Sequence, residues 1–138
     1  MKLTRETIQS VIPQRPPFVM VDNLIEATPD LCKTNFSVTT DNIFIKKNCL
    51  QEPGLIENIA QTCAAGFGYV MSNKGEKPGL GFIGGINKVI VHELPEVNSL
   101  ITTKVEVLYK MENIYSVKGE NFCNGKKLLE CELKIVLM

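Results

Sequence analysis

Glu57, Asn58, Gln61 and Thr62 are the residues whose types and spacing suggest chemistry. They stand at i, i+1, i+4 and i+5, so on a helix they form one polar stripe. Every other residue from Leu55 to Met71 is apolar or small, apart from the Tyr69 hydroxyl. A helix this apolar has to be largely buried. Polar side chains on such a helix need either buried partners or a water-filled cleft. Two readings follow. In the functional one, the stripe lines a site and Glu57 is its ionisable group. The amides around Gly54, at the start of the helix, are then unpaired donors able to polarise a carbonyl. In the structural one, Glu57 complements the positive helix N-terminus and Gln61 satisfies sheet carbonyls. Spacing alone does not separate them.

The helix that carries the stripe is predicted over residues 53–73. Pro53 suits its first position and Gly75 lies just past its end. At 1.5 Å per residue it is roughly 30 Å long. A short helix is expected over 4–11 with Thr4 as N-cap, and the prolines at 13, 16 and 17 must end it. Phe18–Ile25 reads as a strand, and a second follows near 32–38, with Cys32, Thr34, Phe36 and Val38 on one face. Residues 80–92 form an apolar, glycine-containing segment. Residues 101–109 alternate, with Ile101, Thr103, Val105, Val107 and Tyr109 on one face. Asn124-Gly125 is a hairpin signal, and Leu129 to Leu137 alternate again. The sum is an α+β fold over residues 1–138: one long central helix wrapped by a curved antiparallel sheet of about six strands. Long edge strands in such a sheet invite pairing with a second chain.

Composition narrows the function. The 138 residues allow one domain with a real core. Fifteen basic and fifteen acidic side chains cancel, so no basic field attracts nucleic acid. Lys46 and Lys47 remain as a local cluster for an acidic partner. The N-terminus lacks a signal-peptide pattern, and the stripe interrupts the longest apolar stretch, so no membrane span is expected. These features predict a cytoplasmic location. Five cysteines without CxxC spacing argue against a disulfide framework or a zinc site, and no metal or cofactor is expected. Most of these cysteines read as small buried apolar residues.

Three segments carry a resemblance. IPQRPPFVMVD (12–22), PGLIENIAQ (53–61) and GGINKVIVHELPEV (84–97) resemble, in order, the motifs of the 3-hydroxyacyl-acyl-carrier-protein dehydratase family. The resemblance spans nearly the whole chain. It implies a hotdog fold, commonly dimeric, that binds acyl thioesters of an acyl carrier protein or coenzyme A. The family's reaction eliminates water to give the trans-2-enoyl thioester. A base takes a C2 proton and an acid assists departure of the hydroxide. The family draws a helix carboxylate and a histidine from different protomers. Glu57 matches the carboxylate, and Gly54 matches the glycine whose amide faces the thioester.

The histidine does not carry over. IKKNCLQE (45–52) replaces and shortens the family's histidine loop, with Asn48 nearest the missing residue. Asn48 is no base, though it can hydrogen-bond a substrate hydroxyl. Cys49 is the nearest ionisable alternative. Gln14 stands where the family has an earlier histidine. His92, the one histidine of the chain, lies in the third motif and is read as a surface or interface residue. The expected site is therefore Glu57 and Asn48 for catalysis, with Gly54, Gln61, Cys49, Phe44, Phe82 and Ile86 binding substrate. An apolar tunnel of Phe44, Ile59, Phe67, Phe82 and Ile86 is expected to hold the acyl chain. Three functions stay open: an atypical dehydratase, a non-catalytic partner subunit of a histidine-bearing dehydratase, and a thioesterase using Glu57; the assembly expected is a homodimer or a heterodimer with a related subunit.

Overall fold

The computed structural model describes residues 1–77, 79 and 81–138. The apolar helix forms as α1, Glu52–Asn73, and the alternating segments supply the sheet. The strands are β1 (Asn23–Ala27), β2 (Leu31–Ser37), β3 (Ile45–Lys46), β4 (Cys49–Leu50), β5 (Gly81–Val91), β6 (Leu100–Met111), β7 (Ile114–Cys123) and β8 (Lys126–Leu137). Six of them make one antiparallel sheet in the order β1-β2-β6-β7-β8-β5, while β3 and β4 form a separate two-stranded hairpin. Asn124 and Gly125 take left-handed φ values of +51° and +78° and turn β7 into β8, as a two-residue hairpin requires.

The sheet curves round α1. Leu55, Ile59 and Cys63 pack into a core with Phe36, Ile101, Val105, Val117, Leu129, Cys131 and Leu133. The contact is close because glycines sit at the crossings. A Cβ on Gly66 would lie 1.9 Å from Cys32 Sγ, and one on Gly119 would lie 2.2 Å from Ile59 Cγ2. Burial pushes the Cys32 thiol up to about 12 and the Cys131 thiol up to about 11, so both stay protonated members of the core.

Three expected elements differ. Residues 4–11 do not form an α-helix. The only helical turn there is a 3-10 turn, Ile8–Ser10, and Thr4 contributes its carbonyl, which accepts from Thr7 and Ile8 N–H, rather than a side-chain cap. The expected strand from Phe18 begins only at Asn23, because the backbone of 18–20 bonds to α1 side chains instead of to a neighbouring strand. Tyr109 leaves the inward face of β6 and is exposed, since a bulge between Val107 and Tyr109 breaks the alternation. Of the apolar segment 80–92, Leu80 lies outside the described residues.

The two edges of the sheet contrast. β1 is covered on its outer side by Leu3, which bridges to Leu24. Among the described residues β5 pairs with β8 alone. It leaves Phe82, Ile83, Ile86, Val89, Ile90 and Val91 exposed.

Candidate acyl-binding site

The polar stripe divides in two. Asn58 and Thr62 turn into the core and are fully buried. Asn58 Nδ2 donates to the Met20 carbonyl at 2.8 Å, and its Oδ1 accepts from the Thr103 hydroxyl and, at 3.4 Å, from Asn121 Nδ2. Asn121 Nδ2 also donates to the Leu55 carbonyl at 3.1 Å. The Thr62 hydroxyl donates to the Asn58 carbonyl at 2.8 Å and meets the Thr34 hydroxyl at 2.7 Å. These bonds hold helix, sheet and segment 18–20 together, and of the network's side-chain atoms Asn121 Oδ1 is left buried without a partner among the described residues.

Gln61 joins that half to the other. Its Oε1 accepts the Met20 N–H at 2.6 Å, and its Nε2 donates to the Phe18 carbonyl at 2.8 Å and to Glu57 Oε1 at 2.9 Å. Reversing the amide would set an N–H against the Met20 N–H and an oxygen against two acceptors. Its orientation is thus fixed, and one Glu57 oxygen is always held by a donor. Glu57 is half-buried, one turn into α1.

Glu57 faces a groove of about 630 Å³, counting its open mouth. One wall is α1, through Glu57, Ala60, Ala64, Phe67 and Met71. Val11, Pro13 and Gln14 form a second wall, and β5 and β8 close a third with Gly81, Phe82, Ile83, Ile135 and Leu137. Among the described lining residues Glu57 is the sole ionisable side chain and Gln14 the only other polar one. Gln14 Oε1 is buried and without a hydrogen-bond partner among the described residues, so it offers an acceptor close to the carboxylate's groove. The arrangement can carry a proton at Glu57, accept a hydrogen bond at Gln14, and hold an apolar chain along the helix.

Of the expected site, the structure brings Glu57, Phe67 and Phe82 to the groove, with Gln61 behind the carboxylate. Gly54 is corrected. Its N–H already donates to the Gln51 carbonyl at 3.0 Å, and the residue is buried behind Leu50 and Phe44. The helix closes its own first turn there, so this amide is not a free donor. Phe44 packs against the core beside Gly54, and Ile59 is fully buried against Gly119, so neither belongs to the groove lining. Ile86 is 44% exposed on β5, outside the groove.

Asn48 sits at an exposed two-residue turn, Lys47-Asn48, with φ +64°, and its carbonyl accepts the Val97 N–H. The loop is short because it is the β3–β4 hairpin, whose turn requires left-handed residues that asparagine tolerates. Cys49, on β4, lines a different cavity with Glu93, Glu96 and Cys123. Within one chain, neither Asn48 nor Cys49 joins Glu57. His92 Nε2 lies 3.0 Å from Glu130 Oε2 of β8, a surface hydrogen-bond contact away from the groove. Gln14 was not among the expected site residues. Its position inside the first motif was the available signal.

A family model described as ApeP-like, ApeP dehydratase, matches residues 6–137. The 3-hydroxyacyl-acyl-carrier-protein dehydratase FabZ of Enterococcus faecalis is 27% identical over 147 residues, covering 99% of each chain. The enzyme of the same name from Clostridium novyi is 28% identical over 140 residues, covering 96% of each. Among solved structures, the dehydratase heterocomplex ApeI:P from Xenorhabdus doucetiae superposes with a TM-score of 0.87 at 20% identity, over 95% of this chain and 90% of that one. The fold is the hotdog fold expected from the three motifs. Among the described residues, no helix is long and apolar enough to cross a membrane.

Proposed function

Because the chain belongs to the ApeP-like dehydratase family, we propose that it is a dehydratase-type subunit that holds a 3-hydroxyacyl thioester against Glu57 and contributes that carboxylate to a site completed by a second chain. The observation that carries this reading is the groove itself: apolar walls, one carboxylate held by Gln61, and no second ionisable side chain among its described lining residues.

The reaction needs two proton transfers. One group removes a C2 proton as the C2–C3 double bond forms, and another protonates the departing 3-hydroxyl, which leaves as water. Glu57 can serve one of these roles. Asparagine at position 48 cannot serve the other. The β5 edge that lines the groove is the place for a complement. Its unpaired backbone and exposed aliphatic side chains suit a second chain continuing the sheet. That chain would lie over the groove's open side. A related subunit bearing a histidine would supply the missing group, and the dehydratase heterocomplex among the structural neighbours supports a two-chain arrangement. An acyl carrier protein is the proposed deliverer of the substrate, in keeping with the names of the relatives. Lys46 and Lys47, exposed on the β3–β4 hairpin, offer it a basic contact.

The test is turnover of a 3-hydroxyacyl thioester by the purified chain alone, and after co-expression with a histidine-bearing dehydratase. The expected outcome is weak or no enoyl product alone, a mixed dimer on co-expression, and loss of that dimer's added activity on Glu57→Ala. Full activity of the isolated chain would remove the need for a partner. Release of free acid instead of enoyl product would make the chain a thioesterase.

A further inference from the structure

A second cavity lies under the last turns of α1. It is bounded by Val70 of the helix, Lys74 just past its end, Val107 and Lys110 of β6 and Tyr115 of β7, and measures about 910 Å³ with its open mouth and adjoining solvent included. Phe67, Met71 and Leu137 line both this cavity and the Glu57 groove. The two spaces therefore meet at one partition. Its centre is Phe67, whose ring stacks on Tyr115 with centroids 4.7 Å apart and planes tilted by 46°. Both rings are half-buried, and Phe67 packs on the edge of the core rather than inside it.

From this we infer that the groove and the distal cavity are two compartments of one acyl site, and that the Phe67–Tyr115 pair gauges chain length between them. The inference rests on Glu57 marking the reacting end of the chain. Ten residues of helix separate Glu57 from Phe67, roughly 15 Å along the axis. A chain lying along α1 reaches the Phe67 ring at about that depth. Going further requires the ring to swing aside into space that Val70 and Val107 keep apolar. Charge at the far mouth discriminates little, because Lys74 and Lys110 are matched by Asp30 and Glu76. The distal compartment thus suits a neutral chain end and gives no preference for a terminal carboxylate.

The test is equilibrium binding of saturated acyl-pantetheine thioethers of increasing length, which cannot turn over. Each buried methylene tightens binding about fourfold. In the wild type the gain should level off once the chain reaches Phe67. Phe67→Ala should move the levelling point to longer chains, whatever it does to the affinity of short ones. Val107→Trp, which fills the distal cavity, should cancel that extension in the double variant. Phe67→Leu serves as a milder opening if the alanine variant does not fold. A levelling point unmoved by either Phe67 substitution overturns the gauge while leaving the Glu57 site intact. Failure of every chain to bind removes that site, and the gauge with it.

Discussion

Helix α1 carries two kinds of polar residue on one stripe, and they do opposite things. Asn58 and Thr62 are sealed in the core, where each hydrogen bond closes on another protein atom. Glu57, next to Asn58, looks into an open groove with a single donor on it among the described residues. Gln61 belongs to both halves, since it ties down segment 18–20 and steadies the carboxylate. A polar residue on a buried helix is therefore a poor guide to function by its type alone. What separates the two kinds is whether the protein has used up the hydrogen-bonding capacity.

The sharpest way to break this contrast is to neutralise each side in turn. Glu57→Gln keeps size and shape and removes the ionisable group. In the assembled two-chain enzyme it should reduce turnover on the order of 10²–10⁴-fold, with thermal unfolding nearly unchanged. A Tm drop as large as the activity loss would make Glu57 a structural residue. Asn58→Leu should do the reverse. It strands the Met20 carbonyl and the Thr103 hydroxyl in the core, while the Asn121 amide keeps its bond to the Leu55 carbonyl, and costs on the order of 3 kcal/mol of stability. Urea unfolding would measure it. A loss below about 0.5 kcal/mol would show that water or repacking takes over these bonds.

The stripe, the long helix and the Asn124-Gly125 hairpin were legible because each is a local pattern of period or turn chemistry. The division of the stripe was not. It depends on Met20 and Phe18 approaching from about forty residues away, and no local spacing encodes that approach. The same contacts explain the late start of β1, where a run that reads as strand spends its backbone groups on Asn58 and Gln61. Gly54 misled in the other direction. Free amides at a helix start are a sound general expectation, but here the Gln51 carbonyl, besides taking the first regular helix bond from Leu55, turns back on the Gly54 amide. Asn48 resembles a substituted catalytic residue by its place in the shortened loop, whereas its left-handed φ shows the turn it serves. Where a second chain docks is written only indirectly, in the apolar residues of β5.

A smaller effect separates the two sides of the helix by packing. Gly66→Ala places a methyl against Cys32 Sγ, at 1.9 Å before any relaxation. Alanine gains about 1 kcal/mol in helix propensity, but an overlap this deep should outweigh the gain and leave a net loss of ~1–3 kcal/mol. Adding Cys32→Ala should recover part of it. Ala64→Val, on the groove side, should shift stability by less than about 0.5 kcal/mol and weaken acyl binding instead. Equal stability losses for Gly66→Ala and Ala64→Val would mean that the groove is as tightly filled as the core.

The smallest effect sets the neutral buried network against an ionic one on the outer face of the sheet. There Lys127 Nζ lies 2.6 Å from Glu120 and Lys104 Nζ lies 3.8 Å from it. The hydrogen bond from Lys127 holds the Glu120 carboxyl below its ordinary 4.5, and bonds to Glu120 and Glu130 hold Lys127 above its ordinary 10.5. A depressed carboxyl stabilises the fold above its unfolded value and loses that contribution as pH falls through its folded value. The raised lysine stabilises below its unfolded value and loses its share as pH rises through its folded one. Glu120→Gln should therefore lower Tm by a few degrees at about pH 7 and by nothing at about pH 2, where the wild-type carboxyl is itself protonated. The deficit from Asn58→Leu involves no titrating group and should stay the same at both pH values. If the two deficits faded together on acidification, the core network would have to be coupled to the charges outside it, across the sheet that separates them.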